Sequence, residues 1–168
     1  MFRSTVLFFV LLALGLPGIC SGQNRNTARA REQTKIGEAV ISAGLQVEET
    51  ALDCSHFVNA LFQQVGIYYR YQPSRVLYGG VPGFKRVYRP SEGDLIVWPG
   101  HVGVIVDPAE QTFLSALSRG VKVSSYVSRY WQRRGHARFF RYSLPVSSPT
   151  WLARNSRLST SSTSDGLD

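Results

Sequence analysis

The stretch "DCSHFVNALF", residues 53–62, puts a cysteine directly after an aspartate at the start of an amphipathic helical pattern. Cys54, Phe57, Val58, Leu61, Phe62 and Val65 fall on one apolar stripe, with Asp53 placed to cap the helix and Gly66 to stop it. The free N–H groups of a first helical turn present roughly half a positive charge, which favours a thiolate over a thiol. The N–H of Cys54 itself can also hold an oxyanion once the sulfur attacks a carbonyl. The thiol proton then needs an acceptor. His101, in "PGHVGVIV", opens a strand after a Pro-Gly turn and is the candidate. Strand alternation sets His101, Gly103 and Ile105 on one face and Val102, Val104 and Val106 on the other. Gly103 beside the histidine leaves room for a helix N-terminus to approach. A Cys and a His brought together from separate elements form the arrangement for nucleophilic catalysis. Taken singly, each has a plainer explanation: a helical cysteine as a small core residue, a strand-opening histidine as a hydrogen-bonded or surface residue.

The other histidines carry less. His56 lies about 200° around the helix from Cys54, facing away from the thiol, and either lines a substrate cleft or is simply exposed. His136, in "RRGHARFFRY", is expected at the surface. Cys54, His56, His101 and His136 lack metal-ligand spacing, so neither a metal nor another cofactor is expected.

These side chains must be positioned by a mixed fold. "QNRNTARAREQTKIGEAVISAG" has Ile36, Ala39, Val40 and Ala43 at helical spacing, with Asn26 or Thr27 as its cap and Gly44 as its end. Residues 67–93, rich in Tyr, Gly, Pro and Arg, read as a long, partly ordered loop. From Asp94 onward, "DLIVW", "HVGVIV", "TFLSAL", "GVKVSSY" and "RFFRY" are short β-rich runs that suggest an antiparallel meander, and "SRYWQRRG" suggests a helical turn between the last two. Helices first and sheet second make the class α+β.

The 168 residues fit one domain with terminal extras. Residues 1–22 have a positive Arg3, an apolar run from Val6 to Leu16 and a small-residue end, the layout of a secretory signal peptide. The run falls short of the ~20 residues that span a bilayer, so no stable membrane insertion is expected after cleavage. A lipoprotein bearing its lipid on Cys20 is the rival reading, although Ile19 stands where Gly, Ala or Ser usually precedes such a cysteine. Loss of Cys20 with the signal leaves Cys54 alone in an oxidising compartment, secreted or periplasmic, as a reactive thiol or an accident. Residues 23–145 are expected to form the domain, and the Ser/Thr-rich residues 146–168 a disordered tail. The 19 Lys and Arg against 11 Asp and Glu suit a polyanion. No basic and aromatic pattern of a nucleic-acid module is present, so no nucleic-acid partner is expected.

Four segments together resemble the NlpC-type cell-wall cysteine peptidases. "DCSHFV" is similar to their nucleophile motif, "PSEGDLIVW" to their Pro-x-x-Gly-Asp-Leu run, "GHVGVIV" to their base-bearing strand and "GVKVSSYVSRYW" to their closing strand and aromatic turn. The resemblance runs from about Gly44 to Arg141. It implies a papain-like fold, Cys54 as nucleophile, His101 as base, and cleavage of a peptidoglycan stem peptide, at the bond from the γ-carboxyl of D-glutamate to the diamino acid. Two departures stand out. The third catalytic position, commonly His and sometimes Asn or Gln, falls to Ser115, whose hydroxyl must come close to the far imidazole nitrogen or use a bridging water. The tyrosine often found shortly before the nucleophile is missing from "SAGLQVEETALDC". A catalytically degenerate wall-binding module, and an amidase or acyl transferase on the same fold, are the alternatives.

Overall fold

The computed structural model describes residues 20–144, with side chains from residue 24 onward. The expected signal segment up to residue 19 and the Ser/Thr-rich tail lie outside the described residues. Three helices come first: α1 (Cys20–Leu45), α2 (Cys54–Gln64) and the short α3 (Ser74–Gly79). The strands β1 (Phe84–Val87), β2 (Leu95–Trp98), β3 (His101–Asp107), β4 (Thr112–Leu117) and β5 (Gly120–Ser125) follow, then α4 (Arg129–Gln132) and β6 (Arg138–Tyr142). Every strand pairing is antiparallel, and the sheet order is β1-β6-β2-β3-β4-β5. The α+β class, helices packed on an antiparallel sheet, is the one observed.

Three expectations need correction. The α1 helix runs back to Cys20 and is not capped at Asn26 or Thr27. Both residues are tolerated inside a helix, and no proline stands between Cys20 and Leu45 to break it. The span read as a loop at 67–93 contains α3 and β1. Finally, the meander holds only from β2 to β5, because β6 returns past the start of the sheet to pair with β2 and β1.

The sheet is covered on both sides, which explains why β2 is buried along its whole length and β3 over its first five residues. On one side α1 and α2 lay down Ile36, Val40, Phe57, Val58, Leu61 and Phe62 against Leu95, Val97, Val102, Val104 and Leu114. On the other side Ile96, Trp98, Ile105 and Phe113 form a second cluster closed by Trp131 of α4. A close backbone contact fixes α1 on the sheet. A side chain at Gly93 would strike Gly37 of α1, and Gly93 also has a positive φ of 80°. Asp94, which follows, is 2% exposed and binds Arg141 of β6 through both oxygens, at 2.8 and 2.7 Å. The Asp of the Gly-Asp-Leu run is therefore a clamp between the start of β2 and the last strand.

Candidate active site

Cys54 is the first residue of α2, and its backbone position is fixed by Asp53. The Asp53 Oδ1 accepts hydrogen bonds from Ser55 N at 2.8 Å and His56 N at 2.9 Å. These bonds, the His56 one foremost, hold the Asp53 carboxyl below the usual carboxylate range. The cap thus engages the two amides after Cys54, and the Cys54 N–H stays outside it. The thiol is half-buried and free of any disulfide. Among the described residues its hydrogen-bond partner is Ser55 Oγ, at 3.9 Å.

His101 is 6% exposed and opens β3 opposite Trp98. Its ring lies 4.7 Å from that of Trp131 and 6.3 Å from that of Trp98. The Nε2 atom is 3.0 Å from Ser115 Oγ, and Ser115 is fully buried. The hydroxyl therefore reaches the far imidazole nitrogen directly, without the bridging water that the sequence left open. With Nε2 engaged by Ser115, no hydrogen bond among the described residues engages Nδ1. Burial, aided by the positive charge of Arg134, lowers the His101 pKa to about 4. At neutral pH the imidazole is uncharged and has a lone pair with which to accept a proton.

The structure brings His101 and Ser115 together; it places Cys54 by a different route from the one expected. The alternation of β3 is as read, but the room beside Gly103 is filled by Phe113, not by a helix end. The α2 helix packs instead on the Val102 and Val104 face. No hydrogen bond joins Cys54 to His101 among the described residues.

His56 is half exposed, and its Nδ1 lies 2.9 Å from Asp53 Oδ2. Its ring stacks on Tyr71 at 4.0 Å and 18°. Tyr71 escaped the sequence reading. Desolvation, with the charges of Asp53 and Cys54, raises its phenol pKa. The aromatic enclosure of His101 by Trp98 and Trp131 was equally invisible; the "SRYW" turn was its only signal. His136 is exposed, as expected. Among the described residues no group of three His, Cys, Asp or Glu is arranged to hold a metal ion, and no helix is long and apolar enough to cross a membrane.

The sequence model of the NlpC/P60 family matches residues 27–139. The chain belongs to this family, which supports a function of the cell-wall peptidase type. Among solved structures it is similar to the P60 domain of an antigen from M. avium paratuberculosis. That match has a TM-score of 0.52 at 18% identity and covers 70% of this chain and 99% of that one. This likeness shows the fold, which is papain-like. No curated protein matches the chain.

Proposed function

We propose that the protein is a secreted peptidoglycan hydrolase, a cysteine endopeptidase that cuts a stem-peptide amide, with Cys54 as nucleophile, His101 as base and Ser115 as the residue orienting that base. The observation that carries this reading is the buried His101–Ser115 bond of 3.0 Å, which commits Nε2 and leaves Nδ1 to accept a proton. His101 draws the proton from Cys54 as the substrate seats. The thiolate attacks the carbonyl carbon, and the Cys54 N–H, outside the Asp53 cap, donates to the oxyanion. The imidazolium protonates the departing amine, leaving a thioester on Cys54. Water, activated by neutral His101, then hydrolyses the thioester and restores the thiol. The bond is the one from the γ-carboxyl of D-glutamate to the diamino acid, and His56 with its stacked Tyr71 lines the approach.

Digestion of purified peptidoglycan, with products identified by mass spectrometry, tests the reading. The parent should release fragments with a newly freed diamino-acid amine, and Cys54→Ala should release none while folding normally. In parallel, alkylation of Cys54 by iodoacetamide should titrate well below the ~8.5 of a free cysteine, and His101→Ala should shift that profile. Retained hydrolysis in Cys54→Ala would sink the mechanism. A second reading, a wall-peptide-binding module without turnover, is favoured by one observation: the Cys54 thiol is bonded to Ser55 and not to His101. Its signature is wall binding unchanged by Cys54→Ala, with no products from the parent.

A further inference from the structure

On one side of the sheet, where α3 meets β6 and the outer strand β1, arginines and tyrosines alternate. Arg75 and Tyr78 stand one turn apart on α3 and share a face of that helix. The Arg138 guanidinium lies over the Tyr78 ring, with Cζ 4.0 Å from the centroid, and its Nη1 donates to Tyr78 O at 2.8 Å. Tyr78 Oη donates in turn to His136 O at 3.1 Å, which ties α3 to the entry of β6. On β1, Arg86 lies over Tyr88, with Cζ 5.4 Å from that centroid. Arg86 shares its face of the strand with Phe84, and Arg138 stands opposite Val97; both Phe84 and Val97 belong to the core on the helical side. Tyr88 follows, and Arg138 precedes, the last pair of the β1–β6 ladder, Val87 with Phe139, so both stand at the same end of these strands. The order across this surface is Arg75, Tyr78, Arg138, Tyr88, Arg86.

Its charge is uncompensated. Neither α3, β1, α4 nor β6 contains an acidic residue, and the sequence has none from Cys54 to Ser91 or from Gln111 to Leu144. Among the described residues these arginines make no ion pair with a carboxylate, in contrast to Arg141, which Asp94 neutralises. Stacking on a ring restrains a guanidinium without using its donors. Arg86 therefore keeps its whole fork for an anion, and Arg138 commits a single N–H, the one on Tyr78 O. Tyr88 is 83% exposed, with Arg86 on one face of its ring and the other face open. Among the described residues no hydrogen bond or ring contact joins this group to Cys54, His101 or Ser115.

We propose that this alternating surface binds a polyanionic glycan, a chain of sugars bearing phosphate or carboxylate groups, outside the catalytic cleft. Guanidiniums separated by rings match charges repeated along a polymer, and the open face of Tyr88 suits the apolar face of a sugar ring. A run of stacked nucleobases would need several open rings, whereas Tyr78 is half-buried beneath Arg138. A bilayer would need apolar side chains to insert, and α3, β1 and β6 expose no Leu, Phe or Trp. The inference stands apart from the peptidase reading. It gives the chain a hold on an anionic matrix that does not occupy the cleft.

The test is fluorescence anisotropy of labelled dextran phosphate and labelled carboxymethyl dextran with the full chain. The competitors are neutral dextran, a single-stranded oligonucleotide and vesicles of anionic phospholipid. At least one charged dextran should bind, and neutral dextran should not compete. The double variant Arg75→Gln/Arg86→Gln, at exposed positions that hold no element in place, should bind about 10-fold more weakly, and Tyr88→Ala should also weaken binding. Arg119→Gln/Lys122→Gln removes the same charge from exposed positions around the β4–β5 turn and should change little. Equal losses in the two double variants would reduce the effect to net charge and overturn the proposal. So would failure of both charged dextrans to bind, or tighter binding of the oligonucleotide or the vesicles. Because no turnover is read, absence of hydrolysis by the parent counts against the peptidase reading alone.

Discussion

At the scale of single residues, His101 is the group most altered by its surroundings. Its pKa falls from 6.5 to about 4, chiefly through burial. Between those values an unfolded chain binds a proton at this position and the folded chain does not, so acidification favours unfolding. The contribution is present in full above pH 6.5, and about 3 kcal/mol of it has been lost once the pH has fallen to 4. Urea unfolding of the parent and of His101→Gln across this range checks it. The glutamine variant should lose that part of the pH dependence, and identical slopes would refute the assignment. The Ser115 partnership was legible only through the family resemblance, whose third catalytic position falls on Ser115 when carried along "EQTFLSAL". Tyr71 and Arg134 were not legible, since their partners are reached through space and follow no periodicity.

At the scale of elements, α2 was the most legible part of the chain, since cap, apolar stripe and terminating glycine agree with one another. The cap also makes the clearest test. Asp53→Ala orphans the amides of Ser55 and His56 and should cost about 1 kcal/mol, while Asp53→Asn keeps an acceptor oxygen and should cost less. Equal losses in urea unfolding would mean that the carboxylate charge, not the capping oxygen, is what matters. The elements that were missed share a cause. The α3 helix is only six residues long, and its N-cap position, Pro73, offers no side-chain hydrogen bond. The β1 strand reads "FKRV", with both of its basic residues exposed, and it exists by pairing with β6 more than fifty residues away. A strand defined by its partner leaves little local mark. The reach of α1 back to Cys20 was hidden for the opposite reason, because capping residues mark permitted starts and do not compel them.

At the scale of the whole molecule, the late return of β6 closes the fold, and the Asp94–Arg141 clamp secures that return. Arg141→Ala would leave Asp94 nearly fully buried without its counter-ion, a loss of about 3–5 kcal/mol. Thermal melting should show it, and replacing both residues by apolar ones should recover part of it; an unchanged melting temperature in the single variant would contradict the role given to the clamp. The Gly-Asp-Leu run is thus explained by architecture and not by chemistry. The sheet order has one more consequence. An open sheet presents two margins, here β1 and β5, on which a second chain can grow, and the segment before α2 covers part of the second through the bond from Val121 N to Glu48 O at 3.0 Å. Lys85 and Arg86 project from the first margin and Lys122 from the second, all three exposed. Two copies meeting margin to margin would bring like charges together, so these three basic residues oppose edge-to-edge growth of the sheet.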